Sequence, residues 1–532
     1  MNAPARRAFL LVALWAAVVA GGLASRPAWP IDETRYLSVA WEMWEGGDFL
    51  VPHLNGLPYS DKPPLLFWLI QAGWRLFGVN EWWPRIVPSL FALASLFLTA
   101  RLARKLWPDR PAIAKTAPFL MLATLLWSFF STVLLFDMLL VFFVLVGVEG
   151  LVRASRGERR GWLLVFAAVG LGILAKGPAI LIWILPAALA APWWAGGAVR
   201  PLRWYPLVLT AAAAGIALAL AWAVPAALSG GSAYADAILW NQTAGRVTRA
   251  FAHRQPFWWY APFVPLLVFP WILWTGTWRR TPRKSPLMRD PGVRLCATWS
   301  VGGFFVFSLV SGKQIQYLLP LLPSVALLAA RASSNTDAPA SRRGLMPIAG
   351  AFVLLGALLA GARVLAEPLG LPVWISALSP AYGIAVAAIG FAPLLPGAAS
   401  RGASLERIAV CAVAAIVVMQ LAIGRAASPD FDVKRIARYL NRLESEGHAL
   451  AHAGKYRGEY HFAGRLRRPL EVIGPNDVAR WLSRHPDGYV VIYSEGSLVP
   501  EPEDELFHVF RGGVVTVRHG IGRSPDRRRT SG

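Results

Sequence analysis

The side chains able to do chemistry are few and cluster where apolar sequence gives way to polar. Asp32 and Glu33 follow the first apolar run, with Arg35 and Tyr36 one turn on, and Asp61-Lys62 stand directly before Pro63-Pro64. Asp137 interrupts the apolar stretch Leu134-Leu-Phe-Asp-Met-Leu-Leu140, and Lys176 closes another. An ionisable residue at membrane depth is costly and marks a functional position by default. Such acids suit proton abstraction or the orienting of a substrate, and such cations suit an anionic group. Each also has a structural alternative. Asp32 and Glu33 would serve as a helix N-cap with a favourable dipole term, Asp137 could snorkel, and Lys176 could anchor a helix end at the interface.

The elements that must position these residues follow from composition. The chain has 532 residues, 56% hydrophobic and only 16% charged, with a formal net charge of +23 and a mean hydropathy of +0.46. Soluble domains average about 45–50% apolar and about 25% charged, so a soluble nucleic-acid binder is excluded. Apolar runs long enough to span a bilayer recur about thirteen times, from 8–25 through 115–132, 133–152, 161–177, 178–195 and 258–278 to 406–425. Lys and Arg crowd alternate loops, as in Arg101, Arg104, Lys105 and Arg110, or Arg153, Arg156, Arg159 and Arg160. The positive-inside rule makes that side the cytoplasm, with the N-terminus inside and the tail outside. Cys296 and Cys411 lie in or beside apolar runs and offer no disulfide framework.

The reading is therefore a polytopic α-helical membrane domain over 1–425, with a small extracytoplasmic α/β domain at 430–525 and a disordered tail at 526–532. Two outer segments interrupt the spans. The first, 26–83, mixes acids with aromatic residues as interfacial amphipathic helices do, including one over Leu65 to Leu76. The second, 229–257, carries Tyr234, Asn241 and Arg246 and would close a cavity. In the tail, Val433 to Leu443 has helical periodicity, while 489–493 and 514–517 read as strands.

These blocks resemble, in order and spacing, the bacterial membrane glycosyltransferases of the C-type fold, in the group of the aminoarabinose transferases and protein mannosyltransferases. The resemblance rests on Asp32-Glu-Thr-Arg-Tyr36, Asn55-Gly-Leu-Pro-Tyr-Ser-Asp-Lys-Pro-Pro-Leu65, Asp137, Leu174-Ala-Lys-Gly-Pro178, Asn241, Gly245-Arg246, His253 and Ser311-Gly-Lys-Gln-Ile-Gln-Tyr-Leu-Leu-Pro320. It covers about the first 330 residues. It implies a polyprenyl-phosphate-linked sugar donor and a lipid, glycan or protein acceptor, met at the outer face of the bacterial inner membrane. Asp32, with Glu33 and Asp137, becomes a catalytic acid. Against a hydroxyl acceptor Asp32 would be the general base for a one-step inversion, whereas an acceptor that is already anionic needs no base.

Arg35, Lys62 and Tyr317 match positions that contact the carrier phosphate in that group, and Lys176 and Lys313 add charge. Lys313 and Tyr317 are expected on one face at the start of a helix. Tyr59, Asn241 and Arg246 would face substrate. In the aminoarabinose branch an acid before Lys-Pro-Pro and a later His hold zinc, which implies a divalent metal at Asp61 and His253. The usual acid there is Glu, so Asp61 shortens the reach by one methylene. Two other classes are open on these residues: a transporter or flippase of lipid-linked sugar, and a scaffold whose outer acids are caps and anchors.

Overall fold

The computed structural model describes residues 3–240, 255–274, 289–334, 338–398, 400–495 and 504–520. The chain divides into two compact units. One comprises residues 1–25, 60–365 and 378–424, and the other 26–59, 366–377 and 425–532. The outer segment read as one piece over 26–83 is thus shared out: Arg26–Tyr59 packs with the C-terminal residues, and Ser60 onward packs with the helices.

The first unit is helical. Among the described residues of the chain, eight helices are long and apolar enough to cross a membrane, including Trp82–Leu106, Asp137–Ser155, Pro201–Gly230 and Arg342–Ala366. Several expected spans are broken. The run at 115–132 becomes helices Pro111–Leu122 and Leu125–Phe130, because Thr124 between them is extended. Of the run at 258–278, the described residues to 274 are no continuous helix: they fold as short 3-10 turns, Phe257–Phe263 and Trp271–Leu273, around the single turn Val264–Leu267. Pro256, Pro262, Pro265 and Pro270 each remove an amide donor there, so regular helix cannot propagate.

Helices Asp137–Ser155 and Arg160–Lys176 form an antiparallel hairpin joined by a tight turn. They approach so closely near that turn that a Cβ on Gly161 would lie 2.5 Å from both the Gly150 carbonyl oxygen and the Ala154 nitrogen. Small residues permitting backbone approach are the usual basis of helix packing in membranes. Acids on this end are matched. Glu149 lies 2.9 Å from both Arg101 and Arg153. Asp290 caps helix Pro291–Leu309 through the Gly292 and Val293 amides, accepts from Trp107 Nε1 at 2.9 Å and pairs with Arg331 at 3.0 Å.

The second unit contains a hairpin, β1 (His53–Leu54) and β2 (Leu57–Pro58), and five further strands. These are β3 (Leu450–Ala453), β4 (Glu471–Ile473), β5 (Tyr489–Glu495), β6 (Asp504–Phe510) and β7 (Gly513–His519). The sheet order is β4-β3-β5-β7-β6, parallel around β3 and antiparallel across β7. Helix Lys434–Ser445, where the periodicity predicts one, buries Ile436, Ala437, Leu440 and Leu443 in a core with Val491, Val515 and Val517. The alternate residue Val490 joins Ala451 and Trp481 on the other face, as the two-residue period of a strand requires.

Candidate active site

In the second unit, helix Asp32–Gly46 starts immediately after Ile31. Asp32 and Glu33 occupy its first turn without making a side-chain cap, so the N-cap hydrogen bond expected as the structural alternative is not made. The favourable interaction of an acid with the positive end of the helix survives. The two neighbours then part company. Glu33 is buried in an ion pair with Arg26, which reaches both carboxylate oxygens, and it also accepts from the Trp29 amide at 3.0 Å. Expected among the catalytic acids, it is instead consumed by structure. Asp32, 42% exposed, pairs with Arg35 one turn along.

Arg35 is mostly buried, packed over the Tyr36 ring at 5.3 Å. Burial pulls its pKa down, but Tyr59, Tyr36 and Asp32 outweigh that and hold the guanidinium above its ordinary value. Its Nε is a buried donor without a hydrogen-bond partner among the described residues. Tyr59 is itself buried. This corner of the unit therefore offers an accessible carboxylate beside a permanently charged donor with capacity to spare.

In the first unit, the helical hairpin brings together two residues 39 positions apart. Asp137 is the first residue of one helix and Lys176 the last of the other, and they form a buried ion pair. The Lys176 ammonium also lies 4.4 Å from the centre of the Tyr317 ring, a cation–π contact. Asp137 thus does not snorkel: its carboxylate is 5% exposed and held by a cation. The same pairing gives Lys176 a role other than interfacial anchoring.

Lys313 and Tyr317 do not share a helical face as expected. The turn beginning at Ile315 is a 3-10 helix, and Lys313 precedes it in extended chain. Pro320 within that turn and Pro323 beyond it disfavour a regular α-helical start. Lys313 is buried, and its ammonium donates to the carbonyls of Gln255 and Val310. Tyr260, which the sequence reading left without a role, donates to the neighbouring Gln314 carbonyl at 3.3 Å.

Asp61 is exposed and Lys62 half-buried in the turn before helix Leu65–Phe77, whose N-cap is Pro64. Asn241, Arg246 and His253 lie outside the described residues. Among the described residues no three His, Cys, Asp or Glu side chains converge as metal ligands.

Residues 61–222 match the family of the dolichyl-phosphate-mannose-protein mannosyltransferases. The undecaprenyl phosphate-alpha-4-amino-4-deoxy-L-arabinose arabinosyl transferase of Pseudomonas paraeruginosa is 32% identical over 351 residues, which are 63% of this chain and 62% of that protein. The enzyme of the same name from Pseudomonas aeruginosa is 33% identical over 316 residues, 58% of this chain and 56% of the relative. The chain thus aligns with less than two thirds of the length of these relatives. In fold the agreement is more extensive. The crystal structure of ArnT from Cupriavidus metallidurans in the apo state superposes with a TM-score of 0.75 at 20% identity, covering 98% of this chain and all of that one. ArnT from the same organism bound to undecaprenyl phosphate gives 0.73 at 18% identity, covering 96% and 97%. Over residues 61–222 the chain is thus similar to the dolichyl-phosphate-mannose-protein mannosyltransferases, and its fold is the one seen in ArnT.

Proposed function

We propose that the protein transfers a sugar from a polyprenyl-phosphate carrier to a lipid, glycan or protein acceptor at the outer face of the bacterial inner membrane. The observation that carries this reading is the Asp32–Arg35 pair, a half-exposed carboxylate beside a buried guanidinium with an unused donor. Its support comes from relatives named for transfer from an undecaprenyl phosphate donor. A lipid or glycan acceptor is favoured over protein.

The chemistry is a displacement at the sugar C1. The acceptor oxygen forms its bond to C1 as the bond from C1 to the carrier phosphate oxygen breaks, with inversion, and the electron pair leaves on polyprenyl phosphate. With a hydroxyl acceptor, Asp32 takes the proton. With an acceptor that is already anionic, Asp32 orients it. Arg35, Lys62 and Tyr317 are assigned to the departing phosphate, where fixed charge-assisted donors stabilise developing charge. Asp137 is assigned to holding Lys176, and Lys313 supplies positive charge from its bed of carbonyls. Tyr59, Asn241 and Arg246 are assigned to the substrate.

A divalent metal belongs to the proposal as well, with Asp61 and His253 as its ligands. Such an ion would polarise an acceptor oxygen when bound.

The two adjacent acids provide the test. Asp32→Ala should lower the release of free polyprenyl phosphate in membrane extracts by about 10²–10⁴-fold with the melting temperature nearly unchanged. Glu33→Gln should lower the melting temperature, because it leaves the buried Arg26 charge uncompensated. Wild-type turnover in Asp32→Ala at normal protein level would remove the catalytic assignment. Mass spectrometry of envelope lipids and glycans with and without the gene then identifies the acceptor by the sugar mass it loses.

A further inference from the structure

Helix Asp32–Gly46 is anchored by backbone groups of the C-terminal residues packed in the same unit. Ser38, fully buried, donates from Oγ to the Gly458 carbonyl at 2.6 Å and accepts from the Phe462 amide at 3.2 Å. Trp41 donates from Nε1 to the Leu466 carbonyl at 2.8 Å, and the Arg465 guanidinium lies 5.0 Å from the Trp41 ring. Past the helix, Asn55 closes both hydrogen bonds with Leu470, donating to its carbonyl at 2.9 Å and accepting from its amide at 2.8 Å. Glu42 on the helix accepts from the Asn55 and Gly56 amides at 2.6 and 2.9 Å, tying helix to hairpin. Gly458 has a φ of +82°, and a Cβ there would come within 2.6 Å of Leu54 and 3.1 Å of Ser38. The approach therefore leaves no room for a side chain.

Ser38 follows Arg35 by three residues and Trp41 follows Ser38 by three more, each step advancing about one turn and about 60° around the helix. Anchored at two successive turns, the helix can neither rotate nor slide without breaking buried hydrogen bonds. A misplacement of about 1 Å costs a reacting group on the order of 10²-fold.

We propose that the 458–470 segment of the C-terminal domain is a positioning element, which sets the orientation of Arg35 toward the carrier phosphate through Ser38 and Trp41. The proposal rests on the assignment of Arg35 to that phosphate. It gives the C-terminal domain a part in donor binding.

The test measures binding of undecaprenyl phosphate to the full-length protein in detergent by native mass spectrometry, as a double-mutant cycle. Trp41→Phe removes the indole N–H with its five-membered ring and keeps an aromatic phenyl. It should weaken binding about fivefold to tenfold in the wild-type background. In an Arg35→Ala background it should have almost no further effect, because there is no guanidinium left to misplace. A merely structural role would weaken binding equally in both backgrounds, which would overturn the proposal, as would wild-type binding by Trp41→Phe. Unchanged binding by Arg35→Ala alone would instead overturn the phosphate assignment, and with it any positioning through Arg35. Ser38→Ala, which removes one hydroxyl, carries the same cycle if Trp41→Phe does not accumulate.

Discussion

At the scale of single residues, the Asp137–Lys176 pair separates what stabilises the protein from what its chemistry needs. Asp137 is buried and Lys176 mostly so, and a buried charge that loses its partner costs about 3–5 kcal/mol, whereas replacing both partners is often neutral. Asp137→Asn and Lys176→Met should therefore each lower the melting temperature of the purified protein sharply. The double variant should recover most of that loss. If Lys176 also supplies charge to the phosphate, the double variant should stay poorly active although it is stable. Recovery of both stability and turnover would make the pair structural alone. Glu149 buries a comparable carboxylate between Arg101 and Arg153, and the partly exposed Asp290 pairs with Arg331, so no chemistry is assigned to them.

Elements explain why some of this was legible in the sequence and some was not. Helices Leu65–Phe77 and Lys434–Ser445 and strands β5 and β7 fall within a few residues of where periodicity predicts them, since each must keep one face apolar. The pairing of Asp137 with Lys176 was not legible, because hydropathy marks where a helix lies and not which helix returns beside it. Neither was the division of labour between Asp32 and Glu33. Adjacent residues on a helix point about 100° apart, and only the position of Arg26 decides which of the two is buried. The Asn55-Gly56 turn carried a signal that went unused: both residues have positive φ, as the tightest hairpin turns require, in a stretch expected to be interfacial helix.

The helical hairpin itself is testable through its narrowest point. Gly161→Leu would drive a side chain into the backbone of Gly150 and Ala154 and spread the two helices. Overpacking of this kind costs about 1–3 kcal/mol. At the far end of the hairpin it should also loosen Asp137 from Lys176. The expected result is a lower melting temperature together with lower turnover, while Gly350→Ala on another helix, where a Cβ would meet nothing within 4 Å, should change neither much.

At the scale of the whole molecule, the net charge of +23 divides by location, and location governs both pH response and topology. In the C-terminal unit, His452 and His461 are buried, and burial lowers each pKa to about 4. The unfolded chain, with histidine near 6.5, binds more protons than the folded one between those values. The stability these residues permit is thus complete above about pH 6.5 and is lost as the pH falls toward 4. Hydrogen exchange in the full-length protein, corrected for the intrinsic rate, should show β3 and β5 less protected at pH 5 than at pH 7.5. Equal protection at the two pH values would mean that the histidines are solvated.

The basic loops make the strongest statement about orientation. The turn 156–159 joins the ends of the helical hairpin opposite Asp137 and Lys176, and it lies within the cluster Arg153, Arg156, Arg159 and Arg160 that the positive-inside rule assigns to the cytoplasm. The C-terminal domain is expected on the other side. Both native cysteines are buried, so single introduced cysteines report cleanly. Arg480→Cys and Glu158→Cys place a thiol at positions whose native side chains are 68% and 44% exposed. A membrane-impermeant maleimide added to intact spheroplasts should label Arg480→Cys at once and Glu158→Cys only after permeabilisation. The reverse pattern would put Asp137 and Lys176 at the cytoplasmic end of their hairpin, and a transfer reaction at the outer face could not use them.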